Sequence, residues 1–248
     1  MISFIVTALD EEENIGATIE TLERVVRQVN LSEYEIIVVD DGSTDGTYAR
    51  VQERMKQIPQ LQCIRHPVNQ GLGAAIRSGL AVARYPQFMI IPGDNDMQED
   101  FAVSMLTFRD QADLILSAPL NKELRTIWRN VVSMFYQMLY MVSFRLFLTY
   151  INGPGIWPTE RTRQVNLRAR RFAIISEMNV KLLRTGCTFA EVPGYFQAGP
   201  KVRSTVTLRN MVEVGLSYLR LMHEVYIYAP SKYADRPRRI PIRLTKAH

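Results

Sequence analysis

The chain has 248 residues and a mass of 28.5 kDa, which suits one large α/β domain with a C-terminal extension. Hydrophobic residues make up 47% and charged residues 22%, a composition that excludes global disorder. The net charge is +5, but residues 1–123 carry 19 acidic and 10 basic side chains, whereas residues 124–248 carry 6 and 20. The basic half indicates a nucleic acid, an anionic lipid or a phosphorylated substrate as partner, or else a solvated basic face.

The two cysteines, Cys63 and Cys187, exclude a disulfide framework and a cysteine-based zinc site. We expect buried free thiols in a reducing compartment. The N-terminal residues lack a basic segment and a small-residue cleavage site, so we expect no secretory signal and a cytoplasmic location. No uncharged apolar run reaches the ~20 residues that a membrane-spanning helix needs.

The first 120 residues alternate between apolar runs typical of buried strands and segments with helical spacing. The predicted strands are Ile2–Ala8, Glu35–Val39, Leu61–Arg65, Phe88–Ile91 and Leu114–Ser117. The predicted helices follow a capping Asn14, cover Thr47–Gln57 after a capping Asp45, and cover Gly71–Ala83 after a glycine-rich turn. This alternation predicts an α/β fold with a mostly parallel sheet flanked by helices, in which ligands bind at the carboxyl ends of the strands.

The second half is less regular. Leu124–Tyr150 is rich in apolar and aromatic residues, and it is either a core helix or a helix lying in a membrane interface. The segments predicted after it are a turn at 151–155, a helix Ile174–Thr185, a strand Thr188–Val192, an apolar helix Leu208–Tyr228 and a basic tail Asp235–His248. Pro237 and Pro241 exclude a helix in that tail.

Acidic residues follow three of the predicted strands. Asp94-Asn95-Asp96 comes after the fourth strand, Asp40-Asp41 ends the second, and Asp10-Glu11-Glu12 follows the first. Two carboxylates at positions i and i+2 can share one hard cation, so Mg²⁺ or Mn²⁺ would bind there and bridge a diphosphate. Aspartate and asparagine are also ordinary turn residues, which is the alternative explanation for each cluster taken alone.

Three motifs in order, VVDDGSTDGT, NQGLGAAIRSG and GDNDMQ, span about 100 residues. With them the chain resembles the inverting glycosyltransferases of family 2, and the DNDMQ segment is most similar to the dolichyl-phosphate mannose synthase group. The resemblance implies a GT-A-type sheet with a C-terminal helical extension. It also implies transfer of a sugar from a UDP- or GDP-sugar to an acceptor, with a polyprenyl phosphate at the membrane surface as the expected acceptor.

The resemblance also assigns roles to individual residues. The nucleotide-binding residues would be Ala8, Glu11, Asp40, Asp41, Asp94 and Asn95. The metal ligands would be Asp94, Asp96 and Gln98, with Asp96 as a catalytic residue. The residues at the sugar and diphosphate would be Gln98, Arg77, Arg129, Lys201 and Arg203. The family's arginine after the fifth strand is missing here, and Arg125 or Arg129 would replace it.

Four residues have competing interpretations. Glu177 is either the catalytic base or an acceptor-binding residue, or else an acid on a helix surface. Gly71 and Gly73 are interpreted as packing and turn glycines rather than phosphate ligands. Arg77 has a solvated helix position as its alternative.

We expect a catalytic domain over 1–205, divided into a nucleotide-sugar half 1–118 and an acceptor half 119–205, followed by a C-terminal helix and basic tail at 206–248. The segments 124–150 and 206–248 would contact the cytoplasmic face of a membrane. Alternatively, they form a core or a homodimer interface in a soluble glycosyltransferase acting on a glycan or a small-molecule hydroxyl. A non-catalytic nucleotide-sugar-binding relative and a nucleotidyltransferase are further alternatives, and we expect no nucleic-acid partner.

Overall fold

A computed structural model describes residues 1–120, 127–195 and 208–243, with the backbone alone for 127–130 and 208–211. The strands are β1 (Ile2–Ala8), β2 (Tyr34–Asp40), β3 (Leu61–Arg65), β4 (Gln87–Pro92), β5 (Leu114–Pro119), β6 (Gly155–Pro158), β7 (Thr188–Gly194) and β8 (Arg238–Arg239). The helices are α1 (Ile15–Gln28), α2 (Thr47–Met55), α3 (Leu72–Val82), α4 (Glu99–Thr107), α5 (Ile127–Phe144), α6 (Thr159–Gln164), α7 (Ala173–Leu183) and α8 (Leu208–His223).

The eight strands form one sheet in the order β3-β2-β1-β4-β6-β5-β7-β8. Only β6 runs antiparallel to its neighbours β4 and β5, so the predicted mostly parallel α/β sheet is confirmed. Ala8 at the end of β1 pairs with Asp40 at the end of β2, and Thr7 pairs with Pro92 at the end of β4. The turns after these three strands therefore lie at one edge of the sheet.

The sheet has a hydrophobic core on each face, because successive side chains of a strand point to opposite sides. Phe4 of β1 belongs to the core covered by α1, α2 and α4. The next residue, Ile5, belongs to the core covered by α3, α7 and the aromatic residues of α5. Both side chains are fully buried. Helices of both halves of the chain therefore pack against the sheet that carries the acidic turns.

Four elements were not predicted, namely α4, α6, β6 and β8. The strand β6 begins at Gly155, the last residue of the predicted turn, and its four residues are too few to establish an alternating pattern. The strand β8 has two residues, and it adds the basic tail to the sheet beside Thr188 and Phe189 of β7. Asn14 occupies the predicted N-cap position of α1, but its side chain makes no capping hydrogen bond and donates to Glu11 instead.

The helices α5 and α8 contact each other through aromatic side chains. The rings of Tyr140 and Tyr218 are 5.4 Å apart, and the Ser143 hydroxyl lies 2.6 Å from the Tyr218 hydroxyl. A π-helical turn, Glu224–Tyr228, continues α8. Within the described ranges, no helix combines the length and the apolar character needed to cross a bilayer.

The two cysteines are free thiols, as expected. Cys187 is buried, whereas Cys63 is only half-buried. Burial raises the pKa of both thiols to about 11, so both are protonated and unreactive at neutral pH.

Candidate active site

A cavity of about 470 Å³ opens at the carboxyl edge of the sheet. Residues from both halves of the chain line it. The first half contributes Ala8, Glu11, Asp41, Gly71 and Asp94, among others. The second half contributes Asn152, Trp157, Arg171, Phe172 and Ile175, among others. This is the position at which parallel α/β sheets bind ligands, because the strand ends and helix starts leave a crevice there.

The acidic residues after β1 and β4 lie close enough to repel one another. The pKa of Asp96 is raised by burial and by the charge of Asp94. The pKa of Glu11 is raised by burial and by the charges of Asp94, Asp45 and Asp96, although its hydrogen bond from Asn14 opposes the shift. A cation bound here would relieve this repulsion.

Asp94 lines the cavity, and Asp96 lies beside it with its backbone N–H donating to Asp94 Oδ1 at 3.2 Å. Among the residues the structure describes, no group of three or more histidine, cysteine or acidic side chains is arranged to hold a metal. Two carboxylates nevertheless fit Mg²⁺ or Mn²⁺, because these ions take one or two carboxylates and complete their coordination with waters and phosphate oxygens.

Two neighbours in this motif depart from the roles expected of them. Asn95 has a φ of +58°, and its side-chain oxygen accepts a hydrogen bond from Thr21 of α1 at 3.1 Å. The side chain therefore ties the turn to α1 and lies outside the described cavity lining, and its contact with the nucleotide stays a prediction. Gln98 is half-buried at the start of α4 and is also outside the lining as described, so its role as a ligand stays a prediction.

Asp41 lines the cavity and is the centre of a hydrogen-bond network. Its two carboxylate oxygens accept from the backbone N–H groups of Gln70 at 3.0 Å and Gly71 at 2.7 Å. Oδ1 also lies 2.7 Å from His66 Nδ1, and the other ring nitrogen of His66 lies 2.8 Å from the Ser78 hydroxyl. Asp41 thus fastens the glycine-rich turn to the end of β2, and its cavity position is compatible with the predicted nucleotide contact.

Asp40 lies below the cavity rather than in it. The side chain is fully buried, and its Oδ1 accepts a hydrogen bond from the Ser43 N–H at 2.8 Å. Arg65 of β3 lies 3.3 Å from its Oδ2. These contacts hold the turn after β2 and give Asp40 a structural role, and the prediction that it binds the nucleotide stays a prediction.

The glycines of the second motif, NQGLGAAIRSG, allow a segment of the second half to approach α3. The Gly73 N–H donates to the Arg170 carbonyl at 2.7 Å, and a methyl group on Gly73 would overlap the Ala169 carbonyl oxygen. Gly71 has a φ of +94°, and a methyl group there would lie 2.6 Å from the Arg170 oxygen. Their predicted role in packing and in the turn is confirmed.

Arg77 and Glu177 hold that same segment, a structural role that the sequence did not predict, and the binding and catalytic roles expected of them stay predictions. Arg77 Nη1 donates to the Ala169 carbonyl at 2.8 Å, away from the cavity lining. The Glu177 carboxylate is buried, accepts from the Arg168 and Ala169 N–H groups and forms an ion pair with Lys181 at 2.8 Å. A carboxylate with these partners is not placed to take a proton from an acceptor.

Other predicted residues lie where the structure gives no side chains. Arg125, Lys201 and Arg203 fall outside the described residues, and Arg129 is described only as helix backbone. Sequence reasoning missed His66 and Arg171. A histidine just after β3 gave a weak signal, whereas Arg171 stood in a run of four basic or small residues without any motif.

The sheet and its acidic crevice define a GT-A-type glycosyltransferase fold. A similar fold is found in the crystal structure of glucosyl-3-phosphoglycerate synthase from Mycobacterium tuberculosis in complex with Mn²⁺, UDP-glucose and phosphoglyceric acid. The TM-score is 0.67 at 17% identity, over 90% of this chain and 79% of that chain. The family model of glycosyl transferase family 2 matches residues 3–163, and the chain belongs to this family.

Curated relatives match parts of the chain. A dolichyl-phosphate beta-glucosyltransferase of Trichomonas vaginalis is 29% identical over 157 residues, which are 57% of this chain and 48% of that protein. A glucosyl-3-phosphoglycerate synthase of Mycolicibacterium paratuberculosis is 33% identical over 100 residues, 38% of this chain and 28% of that protein. The alignments thus span half or less of the length of these relatives.

Proposed function

We propose that this chain is a metal-dependent, inverting glycosyltransferase that moves a sugar from a UDP- or GDP-sugar to a polyprenyl phosphate. The observation that carries the proposal is the acidic group formed by Glu11 and Asp94 in the cavity lining with Asp96 beside them, where burial and then mutual repulsion raise the pKa of Glu11 and Asp96. An anionic diphosphate would bind beside these acids only together with a cation.

Asp94 and Asp96 would hold the Mg²⁺ or Mn²⁺ ion. The ion would stabilise the negative charge that develops on the leaving nucleoside diphosphate. Asp41 follows β2 and Glu11 follows β1, and both line the cavity. Asp41 would contact the base, and Glu11 would contact the base or the ribose. The network around Asp41 fixes its carboxylate before the donor binds, which lowers the ordering cost of binding.

The acids of the cavity favour a phosphate as acceptor. In the described lining, the carboxylates are Glu11, Asp41 and Asp94, and each has another role in the proposal. Glu177 is engaged with Lys181 and the backbone. A hydroxyl acceptor needs a general base, whereas a phosphate is already anionic near neutral pH and attacks without one.

The names of the relatives support this choice. One relative is named for dolichyl phosphate and the other for 3-phosphoglycerate, and both compounds carry a phosphate group. The second name also favours an alternative acceptor, a small phosphorylated acid. The test of function therefore includes both kinds of acceptor.

The outer surfaces of α5 and α8 would bring the protein to a membrane. Exposed apolar side chains on them are Val131, Val132, Met134, Phe135, Met138, Val142, Val212, Leu216 and Leu219. The acids of α8 and its π-helical turn, Glu213 and Glu224, form ion pairs with Arg171 and Lys181. Because these acids are already paired with cations, the surface combines apolar area with the basic second half, which suits anionic lipid.

The function is tested by calorimetric titration with UDP and GDP, each with and without Mn²⁺, and then by turnover of the corresponding sugar nucleotides. The acceptors would be a short isoprenyl phosphate and 3-phosphoglycerate. We expect metal-dependent binding of one nucleotide and transfer to the isoprenyl phosphate. Asp94→Asn should abolish the metal dependence, whereas Asp100→Asn, an exposed acid on α4, should not. Equal binding with and without metal would contradict the assignment.

Membrane contact is tested by sedimentation with anionic and neutral vesicles. Met134→Ser combined with Met138→Ser should weaken binding to anionic vesicles, and Met55→Ser, an exposed methionine on α2, is the matched control. Removal of residues 235–248 is unsuitable, because it deletes β8 from the sheet. Unchanged vesicle binding with a smaller mass in light scattering would identify the surface as a homodimer interface instead.

A further inference from the structure

Arg171 is the one cationic side chain among the cavity-lining residues in the described part of the chain. It lies just before α7, and a methyl group on Gly71 would come 3.7 Å from its Cγ. It therefore adjoins the glycine-rich turn that Asp41 fastens to β2. The remaining charged side chains of the described lining are the acids Glu11, Asp41 and Asp94.

The backbone on the N-terminal side of Arg171 is fixed from two directions. Gly73 donates its N–H to the Arg170 carbonyl, and Arg77 donates to the Ala169 carbonyl. From below, Glu177 accepts the Ala169 N–H at 2.7 Å. This arrangement holds Arg171 at the cavity whether or not a ligand is bound, which is the preorganisation that an anion-binding residue requires.

The side chain of Arg171 is oriented by α8. Its Nε lies 3.1 Å from Glu213 Oε2, and the Arg171 side chain remains 40% exposed. Guanidinium has five N–H donors in a planar fork, and its terminal nitrogens match two oxygens of a phosphate. Phe172 and Ile175 follow Arg171 and line the same cavity with apolar surface, which suits an apolar group carrying the phosphate.

We propose that Arg171 binds a phosphate group in this cavity and that Glu213 is the positioning residue that orients it. This inference rests on the proposed function, and it names the residue that meets the phosphate. The phosphate would belong either to the acceptor or to the nucleoside diphosphate. The two sources are separated by measuring the affinity for each ligand.

The test compares calorimetric affinities for UDP and GDP with Mn²⁺, for inorganic phosphate and for a short isoprenyl phosphate. Arg171→Gln removes the charge, Arg171→Lys keeps it without the fork, and Glu213→Gln removes the orienting partner. Glu213 Oε1 is buried without a hydrogen-bond partner in the described structure, and Oε2 pairs with Arg171. Arg171→Gln therefore also removes the cation that Oε2 pairs with. The double variant Arg171→Gln/Glu213→Gln removes this effect. Arg50→Gln, an exposed arginine on α2, is the control.

We expect Arg171→Gln and the double variant to weaken binding of one phosphate ligand by about tenfold or more, the usual effect of losing a charge-assisted hydrogen bond. Arg171→Lys should recover part of the loss, and Glu213→Gln should give a smaller loss with an unchanged melting temperature. A loss for isoprenyl phosphate alone identifies the acceptor site, and a loss for nucleotide alone identifies the donor site.

Wild-type affinity in the double variant would overturn the proposal, since Arg171 would then act only by pairing Glu213. So would an equal effect of Arg50→Gln, or the absence of any phosphate binding by the wild type. If the wild type binds isoprenyl phosphate through Arg171 but binds no nucleotide, the proposed function fails and the role of Arg171 stands.

Discussion

Replacing Glu177 distinguishes a structural acid from a catalytic base. Its partner Lys181 is fully buried and also contacts Glu224 at 2.9 Å. Removing one member of a buried ion pair costs about 3–5 kcal/mol, because the remaining charge stays buried. Since Glu224 still faces Lys181, we expect Glu177→Gln to lower the free energy of unfolding by about 3 kcal/mol, near the lower limit of that range.

For a chain of this size, that loss corresponds to a fall of about 6–12 °C in the melting temperature. Circular dichroism measures it, and Glu160→Gln is the control, because Glu160 forms an exposed ion pair with Arg163. Below the transition, sugar transfer should continue at close to the wild-type rate. A variant of Glu177 that melts like the wild type but loses about 10²-fold or more in kcat would refute the structural role and restore the general base.

Two further predictions concern the glycine-rich turn and the metal. Gly73→Ala should lower the free energy of unfolding by about 1–3 kcal/mol, since its methyl group would meet the Ala169 carbonyl. The control Gly215→Ala on α8 meets nothing within 4 Å and should raise the free energy of unfolding slightly. Thermal melting measures both changes. Burial and Asp94 raise the pKa of Asp96, so a proton competes with Mn²⁺ at a higher pH than at an ordinary aspartate. The rise in melting temperature with Mn²⁺ should therefore shrink as the pH falls through that raised pKa. A rise that does not depend on pH would contradict competition between a proton and Mn²⁺ at Asp96.

The part of the site contributed by the first half of the chain could be predicted from the sequence because its signals are local. The strands β1, β2 and β4 contain apolar runs, and an acidic turn follows each of them, as Asp94 follows β4. Parallel register then brings the strand ends to one edge. Local patterns could not distinguish Asp40 from Asp41, because the two residues are adjacent and identical. Only the tertiary structure shows that the Asp40 side chain is fully buried and that Asp41 lines the cavity.

The part of the site contributed by the second half could not be predicted, since its residues are brought together by contacts between distant parts of the chain. Arg171 reaches the cavity because Gly71 and Gly73, about 100 positions earlier, leave room for the segment before α7. Glu177 gives the same local sequence signal as a catalytic acid. Only the hydrogen bonds that it accepts from the backbone N–H groups of Arg168 and Ala169 indicate a structural role. These glycines therefore carry information about the second half of the chain, although they belong to a motif of the first half, because a side chain at either position would meet the backbone of residues 169–170.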